Sequence, residues 1–196
     1  MKQLVGAGIR KLFAFEREKV RNHLLRLDPE DRRLRFFGAV GDSYISSYSE
    51  TIFSTGAIIL GCFENGELRA IGELRRGGTR WGQAAEVAIT VERTFQRRGI
   101  GTEMLRRLVE IARNRSIRTL HLVCLLDNTR MQKIVRKQGG ALCYGNGAAE
   151  ADISAPWPSY WSLLSEATAD GQAALHAWWT ESAFASIGSA TGRAAA

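Results

Sequence analysis

The chain has no hydrophobic run approaching the roughly 20 residues that would span a bilayer. Its opening stretch, Met1 to Arg10, is too short and too glycine-rich for a secretory h-region. A cytoplasmic protein with no membrane partner is the expectation. Cysteine is scarce: Cys62, Cys124 and Cys143 are an odd, widely spaced set with no C-x-x-C pair, so neither a disulfide framework nor a zinc or redox pair is expected. Each lies in an apolar, strand-like run and reads as a buried free thiol. A nucleophilic Cys124 would lack a partner, since His23 and His121 are remote in sequence. No internal repeat occurs. There is no G-x-x-x-x-G-K-[ST] and no G-x-G-x-x-G followed by a ribose-binding acid, which excludes two common nucleotide folds. RNA-binding aromatic motifs, zinc fingers and a clear helix-turn-helix are also missing, so nucleic acid is disfavoured. No metal is expected.

Basic charge is what the chain does have. Its 196 residues carry a net +7, and residues 150–196 hold five acids against one base, so the preceding body is more basic than the whole. Such a body suits an anionic ligand. The length fits one domain with an appendage, divided at 1–154 and 155–196, where Pro156-Trp157-Pro158 breaks the pattern.

Hydrophobic periodicity predicts helices over Phe15–Leu27, Asp28–Phe37 and Ser43–Phe53. Asp28 is the N-cap of the second and Pro29 its first residue. Ala57–Phe63 and Leu68–Leu74 form a hairpin about Glu64-Asn65-Gly66-Glu67. Arg76-Gly77-Gly78-Thr79 turns into a third strand, Ala84–Val91. A helix over Gly101–Asn114 follows, then a nearly continuous apolar strand, Thr119–Leu126, read as central. Asn128–Gln138 is a helix closed by Gly139-Gly140. Ala141–Tyr144 and Ala149–Ile153 are the last strands. Trp161–Ile187 is one or two helices, and Ser189–Ala196 is frayed. The sum is an α/β protein with a mixed sheet.

The third strand runs into Gln96-Arg97-Arg98-Gly99-Ile100-Gly101-Thr102 and directly into the amphipathic helix. A helix N-terminus offers unpaired N–H groups and a favourable dipole, and glycine lets a ligand approach the backbone. On spacing alone, a plain strand-to-helix turn is the alternative reading.

Q-x-x-G-x-G between a β-branched strand and an amphipathic helix resembles the acetyl-coenzyme A signature of the GNAT superfamily of N-acyltransferases. Further matches are the apolar strand Leu120 to Leu126, the run Asp127-Asn128-Thr129-Arg130-Met131, and the turn Lys137-Gln138-Gly139-Gly140. The resemblance is good from Ala84 to Tyr144, looser from Leu27 to Leu74, and absent after Ile153. It implies the GNAT fold: a mixed, mostly antiparallel sheet flanked by helices, here with a C-terminal helical extension. It also implies acetyl-CoA as cosubstrate. Backbone N–H groups from Arg98 to Thr102 would cradle the pyrophosphate, with charge from Arg97 and Arg98 and with Gln96, Gly99, Ile100 and Gly101 shaping the loop. The family's strand splays at a bulge to admit pantetheine, so Ile89 and Val91 should line the gap, one giving its N–H to the thioester carbonyl. Asn128 would bond the pantetheine or adenosine side.

Acyl transfer needs a neutral amine, so a base must take a proton. Glu86 is the candidate: protein-lysine acetyltransferases resemble this stretch, with A-E-[FV]-A before the loop and their proposed base at that Glu. Glu73 is the second candidate, with a hairpin surface charge as its plainer reading. Many members have a Tyr seven residues after the Asn as general acid. Val135 stands there, which leaves Tyr144, a water or no acid at all. Gly140 replaces the usual aromatic. Leu27 to Phe37 resembles the segment that walls the acceptor side in bacterial protein-lysine acetyltransferases. The acceptor is expected to be a small amine, with protein lysine second. A coenzyme A sensor without turnover is a separate reading. The Trp-rich extension packs into the monomer, covers the acceptor cleft or forms a homodimer interface.

Overall fold

The computed structural model describes residues 8–54, 56–76 and 84–191, and side chains as far as residue 179. Seven strands form one sheet: β1 (Ile9–Lys11), β2 (Ile58–Glu64), β3 (Glu67–Arg76), β4 (Ala84–Val91), β5 (Thr119–Leu125), β6 (Ala141–Gly145) and β7 (Ala148–Ser154). Their order is β1-β2-β3-β4-β5-β7-β6. Only β4 and β5 run parallel. The helices are α1 (Arg17–Leu25), α2 (Pro29–Phe36), α3 (Asp42–Thr51), α4 (Ile100–Asn114), α5 (Thr129–Lys137) and α6 (Tyr160–Thr191).

Alternation along the strands feeds two cores, one on each face. Leu12, Val20, Leu24, Ile45, Ile59 and Ile71 meet beneath α1 to α3. On the opposite face Leu74, Val87, Met104, Leu105, Leu108, Leu120 and Ile153 pack under α4 and α5. At Gly72, an added Cβ would lie 3.1 Å from Leu108 Cδ1, so α4 sits close against β3.

The predicted elements appear with boundaries shifted by a residue or two. The exception is β1, three residues whose charged pair Arg10-Lys11 hides any alternation; its register comes from β2, with Ile9 opposite Cys62. β5 lies inside the sheet, between β4 and β7, and is buried on one face. Leu120, Leu122 and Cys124 are buried, whereas Val123 is 47% exposed, so one face of β5 lacks a covering helix. The Trp-rich segment is one continuous helix, and it extends through Ser189 and Ala190 to Thr191, where fraying was expected. Cys62 and Cys124 are buried, but Cys143 is exposed, because β6 is the edge strand and turns it outward. The expected turn at residues 77–79 and the last residues, 192–196, lie outside the described residues.

Candidate active site at the fork in the sheet

The parallel pairing of β4 with β5 stops after three rungs: Ala84 with Thr119, Ala85 with Leu120 and Glu86 with His121. Beyond Glu86 the two strands part while β4 stays paired with β3 without a break, from Arg76–Ala85 to Ala70–Val91. The expected bulge is therefore not what opens the gap; the divergence of β5 does so.

The open edge of β4 can be assigned from its hydrogen bonds. The Glu92 N–H donates to the Arg69 carbonyl at 3.0 Å. In an antiparallel ladder the bonded residues alternate, so Thr90 and Ala88 also face β3. Ile89 and Val91 then turn their backbone groups toward the gap, beyond the last rung to β5. The Val91 carbonyl accepts from Gln96 Nε2 at 2.9 Å, which agrees with that direction. A sheet edge with free groups is a template for an extended, amide-bearing chain.

A cavity of about 370 Å³ lies along this edge. Ile89, Thr90 and Val91 line it on one side, and Gln96, Arg97 and residues 99–102 at its end. α4 begins at Gly99, whose φ of 88° suits glycine, and no side chain caps the helix. Its first intrahelical bond runs from the Glu103 N–H to the Gly99 carbonyl at 3.0 Å, which leaves the earlier N–H groups directed at the cavity. Arg97 also has a left-handed φ, 61°. Left-handed residues flanking a turn are typical of backbone nests that bind anions. At Gly101, an added Cβ would sit 2.9 Å from Ile134 Cδ1, so α4 and α5 approach closely there.

The side chains around this cavity depart in part from expectation. Arg97 lines it, but the Arg98 guanidinium turns away to Glu64, 3.3 Å, and the Thr94 carbonyl, 3.0 Å. Gln96 braces the loop between Val91 and Asp31. Asn128 caps α5, its side-chain oxygen accepting from the Met131 N–H at 3.1 Å, and it lines the cavity as well. Positive charge comes instead from Arg130, Lys133 and Lys137 on α5. Their i, i+3, i+7 spacing puts them on one helix face, a signal present in the sequence.

A second cavity of about 400 Å³ opens on the α2–α3 side of the fork, sharing Leu34, Arg35, Ile89, Asn128 and Met131 with the first. Phe36, Phe37, Tyr44 and Tyr48 wall it, with Glu86, Arg75 and His121 on the sheet side. Phe37 ends α2 in a left-handed conformation, φ 61°. The start of α2 is fixed by Asp28, whose carboxylate accepts from the Asp31 N–H at 2.8 Å.

Glu73 and Glu86 project from neighbouring strands into this region with opposite surroundings. Glu86 is exposed at the fork and makes no hydrogen bond or ion pair among the described residues. Its lateral neighbour His121 is hydrogen-bonded through Nδ1 to Asp152. Glu73 is fully buried, not on the hairpin surface as expected. It accepts from Arg35 at 2.5 Å, Tyr48 at 2.7 Å and Arg75 at 3.0 Å. Burial opposes its charge, but the two guanidinium groups and the Tyr48 hydroxyl outweigh burial and hold the carboxyl below the usual range. Burial, reinforced by the Glu73 charge, pushes the Tyr48 hydroxyl well above a normal phenol.

Tyr144 stands on β6, outside both cavities, where its hydroxyl accepts from Arg136 and donates to Gln132. It is not brought to the fork. Val135 is fully buried in the core, and an added Cβ at Gly140 would lie 2.5 Å from its Cγ1. The two departures from the family pattern are thus one packing contact.

The forked sheet, the bare N-terminus of α4 and the exposed carboxylate of Glu86 thus lie along one strand, β4. The sequence profile of the Acetyltransferase (GNAT) family matches residues 18–139, and the chain belongs to that family. Acetyltransferase PA5475 of Pseudomonas aeruginosa is 26% identical over 130 residues, which are 64% of this chain and 70% of that one. The GNAT domain of S. lividans PAT superposes with a TM-score of 0.65 at 21% identity, covering 74% of this chain and 89% of that one. YncA of Salmonella typhimurium, solved with acetyl-CoA, gives a TM-score of 0.53 at 15% identity, over 74% and 91% of the two chains. Among the described residues no group of side chains could hold a metal ion, and no helix is long and apolar enough to cross a membrane.

Proposed function

We propose that the protein transfers an acetyl group from acetyl-CoA to a primary amine, by direct attack with Glu86 as general base. The observation that carries this reading is the position of Glu86 on the last rung before β4 and β5 part. Glu86 lines the aromatic-walled cavity, which shares Leu34, Arg35, Ile89, Asn128 and Met131 with the cofactor cavity. Pantetheine would lie against Ile89 and Val91 as an added strand, with the pyrophosphate over the N–H groups of Gly99 to Thr102 and the cations of Arg97, Lys133 and Lys137. The YncA structure with acetyl-CoA supports that cosubstrate.

In the reaction, Glu86 takes the proton that the amine must lose, directly or through a water. The amine nitrogen bonds to the carbonyl carbon, and a β4 N–H steadies the oxyanion that develops on the carbonyl oxygen. The C–S bond then breaks, sulfur departs as a thiolate, a tolerable leaving group near neutral pH, and the second proton on nitrogen passes to that sulfur or to solvent. With Val135 buried and Tyr144 remote, no protein acid is assigned to this step.

A small amine is the favoured acceptor, with its body against Phe36, Phe37 and Tyr44; a protein lysine is second. Thiol release from acetyl-CoA, measured against a panel of small amines and lysine peptides, tests the reading. Turnover with small amines supports it, and turnover with peptides alone shifts the acceptor to protein. Tight coenzyme A binding with no turnover on either would leave a sensor.

A further inference from the structure

We infer that α6 is a self-association element, through which two copies of this chain pair antiparallel about a two-fold axis near the middle of the helix. Its placement argues against two of the three readings of the Trp-rich extension. Among the described residues, none lining either cavity comes from it, so the stretch from Tyr160 to Trp179 does not cover the acceptor site. Its tryptophans do not fill the monomer core either: Trp161, Trp178 and Trp179 are 75%, 63% and 68% exposed.

What α6 turns inward is small or charged. Ala173 and Ala177 are buried. Glu166 bonds Arg115 at 2.5 Å and Asn114 at 2.7 Å, and Asp170 bonds Lys11 at 2.8 Å. Both acids between Tyr160 and Trp179 are thereby used to dock the helix on α4 and β1. The outward stripe carries no charge.

The stripe also reads the same in both directions. Tyr160 and Trp161 begin it and Trp178 and Trp179 end it; Leu164 and Leu175 come next inward, then Thr168 and Gly171. Each residue is as far before the midpoint, between Ala169 and Asp170, as its counterpart is after it. A two-fold axis there sets Trp161 against Trp178 of the second copy and Leu164 against Leu175. Thr168 meets Gly171, where small side chains let the helices close to about 8 Å. Isologous pairing needs this kind of self-complementary patch.

The area suffices. Aromatic side chains offer about 150–250 Å² each. Four at these exposures with two leucines present roughly 700 Å² per copy, close to the ~800 Å² per partner of a standard interface. A lipid surface fits less well, because interfacial helices carry Lys and Arg on their polar face and α6 has neither between Tyr160 and Trp179.

Sedimentation of the full chain tests the inference. The expected species has twice the 21.7 kDa chain mass at micromolar concentration. Trp178→Glu and Leu175→Glu should each give monomers with an unchanged far-UV spectrum, since both side chains are mostly exposed. In a Cys143→Ser background, the double variant Thr168→Cys/Gly171→Cys should oxidise to a covalent dimer, whereas Trp161→Cys alone should not. A monomeric wild type, a dimer indifferent to both glutamates, self-crosslinking at position 161, or a monomer that floats with anionic vesicles would overturn it.

Discussion

The two sides of the fork are built from different materials. The proposed cofactor side is mostly backbone: an open strand edge, a bare helix N-terminus and two glycines, one for a φ of 88° at Gly99 and one at the close helix contact at Gly101. The proposed acceptor side is mostly side chains, delivered by α2, α3, β3, β4 and β5. Backbone sites bind what every member of a family shares, since any sequence supplies N–H groups. Side-chain sites can be rewritten one residue at a time, which is where acceptor choice would be expected to reside.

Substitutions can break this contrast in order of expected effect. Glu73→Gln leaves Arg35 buried without its counter-charge, and breaking a buried pair costs about 3–5 kcal/mol. A chain of this size should lose roughly 6–20 °C in melting temperature. The same variant alters pH dependence. A carboxyl held low in the native state contributes stability above the usual carboxylate range and loses it as pH falls through the lowered native value. The wild type should therefore show a steeper acid limb than Glu73→Gln in stability measured against pH.

Glu86→Gln should do the reverse, leaving melting temperature unchanged while cutting turnover by about 10²-fold or more. An unchanged rate would remove Glu86 from the mechanism. Gly99→Val forces a β-branched residue into a left-handed turn at a cost of about 1–3 kcal/mol. Calorimetry should show coenzyme A binding weakened at least about tenfold, with near-normal circular dichroism. Lys137→Ala removes one exposed cation, worth under about 1 kcal/mol. A few-fold loss of coenzyme A affinity is expected, fading as salt rises.

The same contrast governs how much could be read from the sequence. Gly99, Gly101 and the Asn128 cap leave local marks, because a backbone conformation constrains the residues that adopt it. The mixed sheet and its helices followed from periodicity for the same reason. The Glu73 cluster left no such mark: Arg35, Tyr48, Glu73 and Arg75 lie on three elements and meet only through tertiary packing. On the strand alone, Glu73 was indistinguishable from a surface charge. Arg98 looked equivalent to Arg97 until Glu64, on the β2–β3 hairpin, drew it away. Tyr144 was close in sequence to the site but sits on the far edge strand, a placement that no local pattern encodes.

Three rungs hold β1 through β4 to β5 through β7. Mechanically the sheet is two plates sharing a short seam, and a ligand lying along Ile89 and Val91 would extend that seam. Binding would then be felt as rigidity far from any catalytic atom. Amides of Ile89 and Val91 should exchange with deuterium quickly in the free protein and slowly once coenzyme A is added, and heat should separate the plates later.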